Sequence, residues 1–156
     1  MASHLGGDPS RDRARGRPRW RGVPRRRRGG AGAGGSHHVG RARAAATAGG
    51  FALDHLQSNH EGELVDAIGA SRSTHAAIVI NPGAFTHYSW AIHDALASFE
   101  GPIVELHLSN PQTRESWRHT SVVTPVATAL VAGLGGAGYR VAVEAALELA
   151  TPTTPE

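Results

Sequence analysis

The run Ala76-Ala-Ile-Val-Ile80 is apolar without interruption, and Asn81-Pro82-Gly83 follows it directly. A strand with one wet face alternates apolar and polar residues. Five apolar residues in a row suit a strand buried on both faces, as in a parallel sheet covered by helices. The Asn-Pro-Gly that follows places a loop at its carboxyl end.

The flanking sequence supplies the rest of such a sheet. Phe51 to Gln57 alternates as a short strand, Ser58 or Asn59 caps a helix starting near Glu61, and Leu64, Val65 and Ile68 share one face of it. A second helix fits Ser89 to Phe99, with Ser89 as cap and Trp90 and Leu96 packing inward. Pro102 to Leu108 is another strand, Thr128 to Gly133 a last one, and Gly138 to Leu149 a closing helix, with a short helical turn over residues 111 to 118. Alternating strands and helices imply an α/β fold with an open parallel sheet and helices on both faces.

Such sheets bind ligands outside the carboxyl ends of their strands. Two polar clusters fall there. Asn81 to His87 follow the strand ending at Ile80. His107-Leu-Ser-Asn110 follow the next, with Arg114 and Arg118 one turn apart beyond them. Glu105 and His107 lie two residues apart on one strand, hence on one face, and a buried strand rarely carries two ionisable groups without a use for them. An imidazole, hydroxyls, amides and guanidinium groups together suit a small, polyhydroxylated anion. A metal fits less well, because His87 and His107 lack a third ligand at diagnostic spacing. Gly133-Leu-Gly-Gly-Ala-Gly138 has the glycine content of a dinucleotide fingerprint. It follows the last strand, however, without the acidic partner about 20 residues on, so it reads as a tight turn with close helix packing.

Charge divides the 156 residues in two. All 16 cations are Arg; 12 precede Ala44, against only Asp8 and Asp12, while the remainder holds 4 Arg and 11 carboxylates. Residues 1–43 combine Arg, Gly and Pro with few aliphatic side chains. They cannot bury enough apolar area to offset about 1 to 2 kcal/mol per residue of backbone ordering. The expected division is therefore a disordered basic arm over 1–43, a domain over 44–150 and a flexible tail over 151–156. The arm fits a nucleic-acid-binding segment with Trp20 as a stacking group, a solvated tail without a task, or a stretch translated out of frame. Nucleic acid is the least expected partner. With no Cys there is no disulfide framework and no thiolate metal site, so an ordinary core or oligomerisation must hold the fold. No apolar run approaches the roughly 20 residues that span a bilayer, and no secretory h-region opens the chain. A soluble, cytoplasmic protein is expected, with no membrane partner.

Several segments, in order and at matching spacing over roughly residues 41 to 150, resemble the type II 3-dehydroquinases. They are Gln57-Ser-Asn-His-Glu-Gly-Glu-Leu-Val-Asp66, Ile80-Asn-Pro-Gly-Ala-Phe-Thr-His87, Asp94-Ala-Leu96, Val104-Glu-Leu-His-Leu-Ser-Asn110, Arg114-Glu115, Arg118-His119 and Gly138-Tyr139. The resemblance implies a flavodoxin-like sheet of order 2-1-3-4-5. It also implies dehydration of 3-dehydroquinate to 3-dehydroshikimate by anti elimination through an enolate, without metal or organic cofactor, in trimers grouped into dodecamers.

Carried over by position, the resemblance makes His107 the acid that protonates the departing hydroxyl, with Glu105 as its orienting carboxylate. Asn81 and the backbone at Ala84 and Phe85 belong to the substrate and enolate cluster. His87, Ser109, the Leu108 backbone and Arg118 match hydroxyl- and carboxylate-binding positions. Arg114 falls near the closing lid, and Asp94 matches a contact made across a subunit boundary. His60 and His119 read as scaffold groups, His55, His75 and His93 as partly exposed, and Trp90 and Trp117 as core or subunit-contact residues.

The chain departs from the family pattern at its start. The family opens with a strand, an Asn-Gly-Pro-Asn-Leu-Asn type loop, and a lid carrying an Arg and the Tyr that abstracts the proton. None of these is recognisable here, and the only tyrosines are Tyr88 and Tyr139. The central first strand is accordingly expected to be replaced by the Arg/Gly-rich arm and the activity to be impaired. The rival expectation is a catalytically dead domain carrying a nucleic-acid-binding arm.

Overall fold

The computed structural model describes residues 19–23 and 33–151. Five strands form one parallel sheet: β1 (Arg19–Val23), β2 (Ala52–His55), β3 (His75–Ile80), β4 (Ile103–His107) and β5 (Ala129–Ala132), in the order β2-β1-β3-β4-β5. Among the described residues four α-helices cover it: α1 (Ala33–Ala48), α2 (Glu61–Ser71), α3 (Trp90–Ala97) and α4 (Gly138–Ala150). This is the doubly wound flavodoxin-like arrangement, with the strand order reversing between β1 and β3.

Side-chain alternation along β3 and β4 divides the core. Ala77, Val79, Val104 and Leu106 face one way and pack with Ala42 and Ala46 of α1 and Ala142, Val143 and Ala146 of α4. Ile78, Ile80 and Ile103 face the other way, against Leu64 and Ile68 of α2 and Ile92 and Leu96 of α3. Glu105 shares that second face and is fully buried.

The elements expected after Phe51 are all present to within a residue or two. Ser89 caps α3, its Oγ accepting from the Ile92 N–H at 3.0 Å. The N-cap of α2 is His60, whose own N–H donates to Ser58 Oγ at 2.9 Å. The glycine segment before α4 is the anticipated turn: Gly133 and Gly135 have φ of 85° and 54°, and Gly138 is buried where a Cβ would stand 2.9 Å from Leu106 Cδ1.

The start of the chain corrects the expectation of a disordered arm in place of the central strand. Arg19–Val23 lies in the middle of the sheet, in register with β2 (Arg21↔Asp54) and β3 (Arg21↔Ile78). The segment has few apolar side chains to bury. What holds it is the pair of inner edges of β2 and β3, whose backbone groups any non-proline segment can satisfy. Residues 33–43 likewise belong to α1, because Ala42 and Ala46 lie four apart and their small side chains let α1 approach α4 closely. The rest of the expected arm, and residues 152–156 of the expected tail, lie outside the described residues. Thr151 itself caps α4, donating its N–H to Leu147 and Glu148 carbonyls.

His75 is half-buried, and one smaller expectation is corrected, that Trp90 packs inward. The His75 side chain is 3% exposed, packed between Thr74 Oγ1 at 2.7 Å and Asp54 Oδ2 at 3.2 Å. Trp90 and Trp117 are 62% and 55% exposed, so neither is a core residue of the single chain. No helix among the described residues is long and apolar enough to cross a membrane.

Candidate active site

The site is built where β3 and β4 end side by side. The register pairs Ile80 with Glu105, so Asn81, the first residue beyond β3, stands beside the last two residues of β4. From Asn81 the chain enters a 3-10 turn (Gly83–His87) that carries Ala84, Phe85, Thr86 and His87 over the strand ends. The segment after β4 continues through two further 3-10 turns, Pro111–Thr113 and Ser116–His119, that hold Arg114 and Arg118.

At the centre His107 Nε2 lies 2.8 Å from Glu105 Oε1. Glu105 is 0% exposed and His107 9%, so the pair sits at the floor of the site with the imidazole toward its mouth. A buried carboxylate needs donors, and this one has several. Thr86 donates to Oε1 and Thr124 to Oε2, each at 2.5 Å, and Ser121 Oγ stands 3.3 Å from Oε1. Burial pushes the Glu105 carboxyl up. Hydrogen bonds from His107, Thr124 and Thr86, with the His107 charge, outweigh burial and leave it below the usual carboxylate range.

Asn81 is also buried and fixed at both ends of its amide. Its Oδ1 accepts from the Gly83 N–H at 3.2 Å, and its Nδ2 donates to the Tyr139 hydroxyl at 3.3 Å. One amide hydrogen remains for a ligand. Burial raises the Tyr139 phenol above its usual range, against a smaller opposing effect of the Asn81 bond. Behind it, His38 of α1 stacks on the Tyr139 ring, with centroids 6.3 Å apart.

The second group of expected binding residues is linked through rings. His87 is held by the Thr120 carbonyl, 2.8 Å from Nδ1, and meets the Trp117 ring edge-on at 5.3 Å. The Arg118 guanidinium lies 4.0 Å over Trp117 and donates to Glu115 Oε2 at 2.7 Å. Arg114 Nε stands 3.7 Å from the same oxygen. Both guanidinium groups thus meet one exposed carboxylate, that of Glu115. The Glu115 carboxyl lies below its usual range because of its own backbone N–H first and Arg118 second.

The remaining positions are more dispersed. Leu108 is half-buried with its carbonyl accepting from Gly135 N–H at 2.9 Å, and Ser109 is exposed beside it. Asp94 is exposed on α3. Sequence reasoning missed Thr86, Ser121, Thr124 and Tyr139 as site residues. A carboxylate placed inside a strand was the available signal for the hydroxyls, since the three that bind it all lie in loops beyond strand ends. Among the described residues no group of three His, Asp or Glu is placed to hold a metal ion.

A family model described as dehydroquinase class II matches residues 32–147. The chain is 50% identical over 103 residues to a 3-dehydroquinate dehydratase of Halalkalibacterium halodurans, covering 66% of this chain and 71% of that one. With the Bacillus subtilis enzyme of the same name it shares 53% over 91 residues, 58% of this chain and 62% of the relative. The crystal structure of a type II dehydroquinase from Butyrivibrio crossotus superposes with a TM-score of 0.75 at 32% identity, over 83% of this chain and 97% of that one. One from Propionibacterium acnes gives 0.71 at 28% identity, over 84% and 97%. Fold and relatives agree, and the chain belongs to the class II dehydroquinase family.

Proposed function

We propose that this chain binds 3-dehydroquinate and dehydrates it to 3-dehydroshikimate, a step of the shikimate pathway, by anti elimination through an enolate. The observation that carries the reading is the buried Glu105 carboxylate bonded to His107 where β3 and β4 end. In this reading the proton next to the ketone is lost first, and the Asn81 amide with the backbone at Ala84 and Phe85 stabilises the enolate oxygen. His107 then gives a proton to the departing hydroxyl, which leaves as water. His87, Ser109 and the Leu108 backbone hold ring hydroxyls, and Arg118, aided by Arg114, holds the carboxylate. No metal or organic cofactor takes part.

The first proton transfer is the weak step. The sequence holds two tyrosines. Tyr88 is 60% exposed, and the Tyr139 phenol is raised and engaged by Asn81, so neither is prepared as a base. Proton removal by solvent in place of a positioned base lowers turnover by on the order of 10² to 10⁴. The reading also includes a trimer-based homo-oligomer, with exposed Asp94 and Trp90 at its contacts, working in the cytoplasm.

Appearance of the conjugated enone product, followed by absorbance, tests the reaction. Slow, saturable turnover that disappears in His107→Ala is expected. Turnover equal in the two proteins would overturn the assignment.

A further inference from the structure

Three hydroxyls around Glu105 form a directed chain. Ser121 Oγ accepts from the N–H groups of Val123 at 3.0 Å and Thr124 at 2.9 Å, which occupies both of its lone pairs. Its single hydrogen must point elsewhere. Thr86 Oγ1 is 2.7 Å away and Glu105 Oε1 3.3 Å, so Thr86 is the better acceptor. Thr86 then has its own hydrogen for Glu105 Oε1 at 2.5 Å, and Thr124 supplies the other oxygen. Each bond in the series polarises the next toward the carboxylate. The Val122 N–H also donates to the Thr86 carbonyl at 2.7 Å, which ties the two loops together.

We infer that Ser121, Thr86 and Thr124 are positioning residues: they hold Glu105 as a carboxylate, which keeps the proton of neutral His107 on Nε2 and leaves Nδ1 as the nitrogen that meets the ligand. A protonated Glu105 would present its own hydrogen among donors already aimed at it. An ionised Glu105 can only accept, so the His107 nitrogen facing it at 2.8 Å must donate. The opposite nitrogen is then the one that gains and gives the working proton. The lowered Glu105 carboxyl agrees with this geometry. None of the three hydroxyls is bonded to His107, so their influence passes through Glu105. The catalytic consequence rests on the function proposed above, whereas the proton's place on the ring does not.

The test is nitrogen-15 NMR of the histidines in the full chain, without substrate, at a pH where His107 is neutral. It is paired with a carbon-13 titration of the Glu105 carboxyl. The expected wild-type spectrum shows His107 protonated on Nε2. Thr86→Val should move the Glu105 titration upward by about one pH unit, the equivalent of one charge-assisted hydrogen bond, and should populate the Nδ1–H form. Thr86→Ser should restore both. Ser121→Ala, which removes the remote link and adds no bulk, should give a smaller change in the same direction and serves as the test should Thr86→Val fail to fold. A wild-type His107 protonated on Nδ1 would overturn the inference. So would a folded Thr86→Val or Ser121→Ala with an unmoved Glu105 titration. Because no substrate is present, a protein that binds no 3-dehydroquinate would refute the function and leave this result standing.

Discussion

Asn81 donates through Nδ2 to the Tyr139 hydroxyl at 3.3 Å, a bond that ties the end of β3 to the first turn of α4. With the Gly83 N–H on the other end of the amide, it fixes which way Asn81 points. Tyr139→Phe should keep the fold and lose this one bond, worth about 1 kcal/mol. The expected result is a fall of roughly fivefold in kcat with little change in KM, read from steady-state kinetics. Unchanged kcat would show that the amide is held without the phenol.

Glu105 should give the protein an acid sensitivity of its own. Its folded-state carboxyl lies below the ordinary value of 4.5, so the unfolded chain takes up this proton first as pH falls. The stabilisation is complete above about 4.5 and is lost as pH drops through the folded value. Glu105→Gln should be less stable at neutral pH by about 1 to 3 kcal/mol and show a shallower loss of stability below pH 4.5, measured by urea unfolding across pH.

The β1 ladder makes a sharp demand on the start of the chain. Arg21 lies between Asp54 of β2 and Ile78 of β3, so its backbone is paired on both sides. Arg21→Pro removes an interior N–H and should cost on the order of 2 kcal/mol by chemical denaturation. A variant as stable as the parent would mean that the strand does not contribute to the folded state.

Ser89 joins two helices. Its Oγ accepts from the Ile92 N–H at the start of α3 and its hydroxyl donates to Glu61 of α2 at 2.5 Å. Ser89→Ala should therefore cost more than an isolated N-cap, about 1 to 2 kcal/mol, whereas Ser89→Thr should recover most of it. Thermal unfolding of the three proteins distinguishes the two.

Most of the fold was legible after Phe51 because each element there carries its own pattern. The five-residue apolar run of β3, the Ser89 cap and the glycine turn before α4 need no knowledge of their neighbours. β1 and the first turns of α1 were not legible, because what holds them is supplied by other segments. The slot between β2 and β3 and the small-residue face of α4 appear only once those elements are assembled. The same contrast runs through the site. Glu105 and His107 were legible as an ionisable pair on a buried strand, and Asn81 as a residue at a strand end. Thr86, Ser121 and Thr124 were not, since ordinary loop hydroxyls gather around Glu105 only when segments 16 to 19 positions away in the sequence fold back.

The claim that the ends of β3 and β4 form a 3-dehydroquinate site is tested most directly by calorimetric titration of that compound into the full chain and into Arg118→Ala. We predict saturable heat with one site per chain, weakened about tenfold or more by the substitution, as expected for loss of a charged hydrogen bond to the ligand carboxylate. Absence of saturable heat in the parent chain, or equal affinity in the two proteins, would contradict it.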